Sequence, residues 1–251
     1  LRTKTALGID ISEGPRKAGT QTLINLALLK RDKNGVELLK TASSPVPDGV
    51  IKNGNIEDYA TLSKAIMELK TRNKIRAGRA AVSLLARPVL VQIMDIPKQV
   101  PTNIRQFVCN ELKRCVVLSG KKIALDFYGI GSRGRMGNNR LFVVATDWQK
   151  VAEIAKACNQ AGLNVEAIEP PLLAYARAFY AKKIAGKFDC NVLMAILHGN
   201  ALTICVFRKQ TVDFVRTKDI SKETTEPDKL CQWLADQINA VIQFYDVEVP
   251  D

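Results

Sequence analysis

One element order occurs twice in this chain, and the repetition limits the possible folds more than any single motif does. Near the start, "KTALGIDIS", "TLINLALLKRD" and "VELLKTASSPV" read as three successive strands, the last two joined by a Lys33-Asn34-Gly35 turn. Residues 57–72 then carry Leu62, Ile66 and Leu69 at helical spacing, and "AAVSLLA" follows as a short buried strand. Past Lys187 the pattern restarts. "CNVLMAIL", "NALTICVF" and "TVDFVRTKDI" are three strands, and 227–245 is a long helix with Leu230, Leu234, Ile238, Val241 and Tyr245 on its inner face. A meander followed by a helix, at 5–72 and again at 190–246, implies a mixed α/β fold of two related halves. The second half stops at Asp251 before its repeat is complete.

Between the repeats lies a block with its own rhythm. "PVLVQIMDIP" is extended, and 101–118 reads as a helix with Ile104, Phe107, Val108, Leu112 and Cys115 on one face. The strands "KIALDFYGIG" and "NRLFVVATD" follow, joined by the loop "SRGRMGN". Asp147 caps a helix carrying Val151, Ile154, Ala155 and Cys158, which Gly162 closes. "NVEAIEP" is a strand, and Pro171 opens a helix over 172–182. The expected division is a first half over 1–186, with an inserted α/β subdomain at about 87–165, and the start of a second half over 187–251.

At 251 residues and 47% hydrophobic content the chain can bury one large core or two modest ones. No stretch reaches the roughly 18–20 apolar residues of a membrane span. The nearest, 192–207, is broken by His198, Gly199 and Asn200. The start does not resemble a signal peptide, so a soluble chain is expected. The net charge of +12 suits nucleic acid or an anionic membrane met through an embedded partner. With aromatics at 6% and the basic residues scattered, no stacking platform stands out, and no nucleic-acid partner is expected. The six cysteines, at 109, 115, 158, 190, 205 and 231, form no Cys-x-x-Cys pair, and with one histidine they make poor zinc ligands. They read as buried thiols of a reducing cytoplasm.

The doubled βββαβ pattern, with "LGIDIS" at 7–12, "PDGVIKNGNIED" at 47–58, "LDFYGIG" at 125–131, "LFVVATDWQKV" at 141–151 and "AGLNVEAIEPPLLAYARAF" at 161–179, resembles the PilM family of type IV pilus assembly proteins. This is a branch of the actin-like (ribonuclease-H-like) superfamily, related to the cytoplasmic domain of the secretion protein GspL. The resemblance implies an actin-like α/β fold of duplicated halves, with ATP and Mg²⁺ bound between them. It also implies a cytoplasmic platform component, peripheral to the inner membrane, that grips the tail of a PilN-like single-span partner. Membrane contact would then be indirect. Other pilus or secretion components are expected partners, and self-association is left open.

By the same resemblance two turns clasp the phosphates. Asp10, as the Mg²⁺ candidate, and Ser12 belong to the first, with Lys17 in the loop beyond. Gly199, Asn200 and Thr203 belong to the second. Here the chain departs from the family pattern, since aligning "ILHG" puts Leu197 where an acid is expected, and leucine cannot orient a metal-bound water. The expectation is a degenerate site with weak or no nucleotide binding and little or no hydrolysis, hence a scaffold. A working actin-like ATP-binding protein or ATPase is the alternative. Phe107, Leu112, Phe127 and Tyr128 are candidate linings of a partner-peptide groove, or ordinary core. His198 reads as structural, since no Ser–His–Asp order or phosphate-binding Gly-x-x-x-x-Gly-Lys run accompanies it.

Overall fold

A computed structural model of the protein describes residues 4–13, 21–33, 35–52, 54–83, 89–96, 103–115, 118–133, 138–181, 191–198, 201–208, 210–220 and 226–248. The first stretch of chain supplies β1 (Lys4–Glu13), β2 (Thr22–Asp32), β3 (Gly35–Pro45), β4 (Ile51–Lys52), β5 (Asn55–Ile56), α1 (Tyr59–Arg72) and β6 (Arg79–Ser83). The middle supplies β7 (Val89–Ile96), α2 (Ile104–Lys113), β8 (Ile123–Arg133), β9 (Asn138–Asp147), α3 (Trp148–Gln160), β10 (Asn164–Glu169) and α4 (Pro171–Ala181). The last part holds β11 (Val192–His198), β12 (Ala201–Arg208), β13 (Thr211–Asp219) and α5 (Pro227–Glu248).

The meander β1–β2–β3 is antiparallel, and β6 and β10 add to it in parallel, giving the sheet order β10-β6-β1-β2-β3. Alternation along β1 decides its two faces. Leu7, Ile9 and Ile11 are sealed against α1 and α3, where Leu62, Ile66, Leu69, Ile154 and Cys158 meet them. Gly8, Asp10 and Ser12 take the opposite face. Asp58 caps α1 by accepting from the backbone N–H of Ala60 and Thr61. At the far end the Lys70 ammonium donates to the Ala161 carbonyl at 3.1 Å, tying α1 to the C-terminus of α3.

The inserted sheet has the order β7-β9-β8 and is antiparallel throughout. It spans Val89–Asp147, whereas the sequence expectation ran to about 165; α3 and β10 return to the first sheet and its core. Both faces of the inserted sheet are covered. Leu141, Val143 and Ala145 pack on Val108 and Leu112 of α2, while Phe142 packs on Leu172 and Ala176 of α4 and on Cys205, Phe207 and Val212 of the second half. The second-half sheet, β11-β12-β13, places Leu202, Ile204 and Val206 under Val241 and Leu234 of α5.

Two local expectations change. The helix expected over 101–118 is α2, which begins after its Asn103 cap and ends at Lys113 in a run of tight turns. The segment 47–56, which carries no strand-length apolar alternation, contains the hairpin β4–β5, in which Lys52 pairs with Asn55. Its signal was the Asn53-Gly54 dipeptide. Among the cysteines, Cys158 and Cys205 are buried and burial pushes their thiols up to about 11 and about 12, but Cys231 is exposed. Cys190 lies outside the described residues. No helix among the described residues is long and apolar enough to cross a membrane.

A buried ionic node locks the inserted sheet to the second half. Asp213 on β13 is 9% exposed. It receives the Arg140 guanidinium of β9 at 2.7 Å and the Tyr245 hydroxyl of α5 at 2.8 Å, and the Asp213 carbonyl accepts a second Arg140 N–H. Arg208 lies 3.6 Å from the same carboxylate, and Asp95 lies 3.6 Å from Arg140 at the rim. Removing one partner of a buried pair strands the other charge, so Asp213→Ala should cost about 3 kcal/mol. Asp95→Ala, at a side chain 67% exposed, should cost under about 1 kcal/mol. Urea denaturation of both variants checks the contrast.

Candidate functional site

A polar row crosses the first sheet at the C-terminal end of β1. Asp10, Asn25 and Ser43 stand directly opposite one another on β1, β2 and β3. Their side chains are chained by hydrogen bonds: Ser43 Oγ donates to Asn25 Oδ1 at 2.7 Å, Asn25 Nδ2 to Ser12 Oγ at 3.4 Å, and Ser12 Oγ to Asp10 Oδ2 at 2.7 Å. The row lies on the face turned away from α1 and α3, so these polar groups need no place in the apolar core.

The second half reaches this row through His198. Its Nε2 lies 3.2 Å from Asp10 Oδ1, and because an ionised carboxylate only accepts, the imidazole is the donor. Burial raises the Asp10 carboxyl, yet hydrogen bonds from His198 and Ser12, the electrostatic attraction of the His198 ring and the nearby Ser83 hydroxyl outweigh it and bring the value to about 2. Ser83 Oγ is itself buried without a hydrogen-bond partner among the described residues. Tyr175 of α4 closes the side, its ring edge-on to His198 with centroids 6.5 Å apart. Burial and the charge of Asp10 both raise its phenol.

Strand alternation revises the residue set expected at the second turn. Leu197 pairs with Leu202 and belongs to the α5 face, 48% exposed, while His198, Ile196 and Thr203 face α4 and the inserted sheet. On the cleft-facing sides of β1 and β11, Asp10 and His198 meet, while Leu197 points to the other face. The sequence missed this pairing. One signal was available: the polar Asn25 in the otherwise apolar "TLINLALL", opposite Asp10.

Of the remaining candidates, Thr203 bonds to Thr217 across β12 and β13 at 3.0 Å. Lys17, Gly199 and Asn200 lie outside the described residues. Leu112 is fully buried and lines no accessible groove. Phe107 and Phe127 are half-buried beside it on the α2 side, and Tyr128 is 53% exposed on the other face of β8, its ring 5.4 Å from that of Phe142. The four do not share one surface. Asp126, Asp147 and Glu169 have local roles, with Phe127 N–H, the N-terminus of α3 and Arg177 respectively.

Asp10 suits one edge of a Mg²⁺–phosphate ligand, being an ionised oxygen donor one-third exposed. His198 does not extend that fit, since Mg²⁺ takes oxygen ligands. Among the described residues no cluster of three His, Cys, Asp or Glu could hold a metal ion.

Two α/β sheets meeting over an Asp-bearing first strand give an actin-like fold. A family model described as type IV pilus assembly protein PilM matches residues 8–226, and the chain belongs to that family. It is similar, at 20% identity and a TM-score of 0.72, to a solved PilM-PilN type IV pilus biogenesis complex, covering 97% of this chain and 78% of that one. More distant is cyto-EpsL, the cytoplasmic domain of an inner membrane component of the type II secretion system of Vibrio cholerae: 14% identity, TM-score 0.44, 86% of this chain and 70% of that one. A Bacteroides thetaiotaomicron VPI-5482 protein with an actin-like ATPase fold gives 10%, 0.47, 96% and 76%. A sequence comparison with curated proteins finds no match.

The depressed carboxyl gives a signed prediction. Its folded value, about 2, lies below the ordinary 3.8, so the stability it contributes is complete above 3.8 and is lost as pH falls toward 2. Carbon-detected NMR should show Asp10 titrating near 2. In His198→Ala the midpoint should rise, because burial is then less opposed.

Proposed function

We propose that this PilM-family protein is a cytoplasmic scaffold of a pilus or secretion platform at the inner membrane, gripping the tail of a PilN-like partner around a nucleotide cleft that hydrolyses little or no ATP. The observation that carries the reading is the 3.2 Å contact of Asp10 with His198 where the two halves meet. A hydrolytic cleft needs oxygen donors there to hold Mg²⁺ and orient water, and an imidazole opposite the carboxylate supplies none. Bound ATP–Mg²⁺ would supply phosphate charge and a hard cation, for which Asp10 is the ligand and Ser12 a hydroxyl donor. His198 has to yield Asp10 before either residue can serve.

For the tail, we favour β8. It is the outer strand of the inserted sheet, with β9 as its partner on one side, and the exposed Tyr128 projects beside that edge. An extended peptide could add to such an edge by main-chain hydrogen bonds, with side-chain pockets alternating between faces. Arg105 already donates to the Leu125 carbonyl at 3.1 Å, which would limit the open stretch to the residues beyond it.

Two measurements test the reading. A fluorescent peptide copying the cytoplasmic tail of the PilN-like partner should bind the protein, weaken at least fivefold with Tyr128→Ala and remain unchanged with Asp10→Ala. Phosphate release from ATP–Mg²⁺ should stay at background. Turnover abolished by Asp10→Ala would instead establish the ATPase alternative.

A further inference from the structure

Around the start of α3 lies a surface that neither the cleft nor the β8 edge uses. Trp148, the first residue of α3, is 46% exposed. The Lys122 ammonium sits 4.0 Å from the centre of its ring, and the Trp148 N–H donates to the Lys122 carbonyl at 2.8 Å, so the pair is held by backbone as well as by the cation–π contact. Lys121 reaches Asp147 at 3.7 Å. Lys150, in the first turn of the helix, is pushed down by burial and by the charge of Lys121 against the pull of Asp147 and Glu153, so the two ammonium groups lie within reach of each other's field. The preceding segment adds Lys113 and Arg114, and no acid occurs between Glu111 and Asp126. The adjoining helix repeats the chemistry: Tyr59, the first residue of α1, is 36% exposed with the Lys156 ammonium 3.7 Å from its ring centre.

Two features of this patch point to one occupant. The lysines gather at a helix N-terminus, where the macrodipole disfavours cations; the Asp147 cap offsets part of that field, and Lys121, Lys122 and Lys150 outnumber it. An exposed indole with one lysine over its ring and others close by in sequence matches the interface of an anionic bilayer, where tryptophan settles at headgroup depth and ammonium groups meet lipid phosphates. A strand of nucleic acid would call for a row of aromatics to stack on, and the patch offers one indole.

We propose that Trp148 with Lys121, Lys122 and Lys150 forms a direct docking surface for an anionic membrane, separate from any contact made through a membrane-embedded partner. The indole enters the headgroup layer and the lysines lie against lipid phosphates. This goes beyond the scaffold reading, in which the partner's tail alone holds the protein at the membrane.

Cosedimentation of the full chain with vesicles, no partner present, tests it. At low salt the protein should pellet with phosphatidylcholine vesicles carrying about 30% phosphatidylglycerol, not with phosphatidylcholine alone, and binding should fall steeply as salt rises. The double variant Lys121→Glu/Lys122→Glu should bind at least tenfold more weakly, and Trp148→Ala several-fold more weakly, each with an unchanged thermal melt. Should Trp148→Ala melt early, the lysine variant, altered at exposed positions, decides. No pelleting with the anionic vesicles, or pelleting that the lysine reversal leaves intact, overturns the proposal. So does equal capture of duplex DNA with no dependence on Trp148, which would mark a general polyanion surface. Any of these failures leaves the peptide-tail and turnover results untouched.

Discussion

Strand β9 has no polar face, and most of the molecule is arranged around that constraint. Its run Leu141-Phe142-Val143-Val144-Ala145 is apolar at every position, so both sides must be covered. Covering the odd-numbered side takes α2. Covering Phe142 and Val144 requires a second layer, and that layer comes from α4 and the second half rather than from the first sheet. An insertion that belongs to the first half by sequence is therefore packed on the second. Fully burying a side chain such as Phe142 is worth about 1.5–3 kcal/mol, several times a surface ion pair, so apolar coverage rather than charge decides where the block sits. The Asp213 node then fixes the register of that contact, because the Arg140 fork fits a carboxylate in few geometries.

The cleft follows from a different use of strand alternation. β1 gives Leu7, Ile9 and Ile11 to the core, which leaves Gly8, Asp10 and Ser12 for the other face. β11 does the same with its own residues and brings His198 to face Asp10. A pair of acids here would repel and invite a metal. An acid and an imidazole attract, and the contact satisfies both groups from within the chain.

How much of this could be read in advance depended on whether a property is local. The meander strands were legible because alternation and turn chemistry act over a few residues, and β2 falls on the stretch marked by its composition. The Asp147 cap of α3 was legible for the same reason, as was the doubled element order that gives the actin-like fold. Properties that depend on which face meets which neighbour were not. The string "NRLFVVATD" announces a buried strand without saying what buries it. Leu197 and His198 are adjacent in sequence, and only the pairing of β11 with β12 tells which of them looks into the cleft. Leu112 and Tyr128 are both large side chains near one subdomain, yet one is sealed under β9 and the other half in water. The hairpin β4–β5 is the opposite case: its Asn53-Gly54 signal was local and in plain view among the polar residues of a loop.

Two of the contacts between first-half sequence and the second half differ in kind, and the difference sets which yields more readily. One is the seam of Phe142, Phe207 and Val212 with the Arg140–Asp213 pair, apolar and nearly dry. Its ion pair is stabilised by exclusion of water, and opening it would expose both apolar faces and an unpaired charge. The other is Asp10 with His198, whose side chains are 34% and 23% exposed. Water competes for that pair, so its net worth is about 1 kcal/mol or less. Local opening follows the weaker contact. A ligand that parts Asp10 from His198 therefore works against a shallow contact, while the apolar seam keeps the inserted sheet and α4 on the second half. The place of the inserted sheet, and with it the seam that the shallow contact adjoins, is then set by the apolar demands of β9.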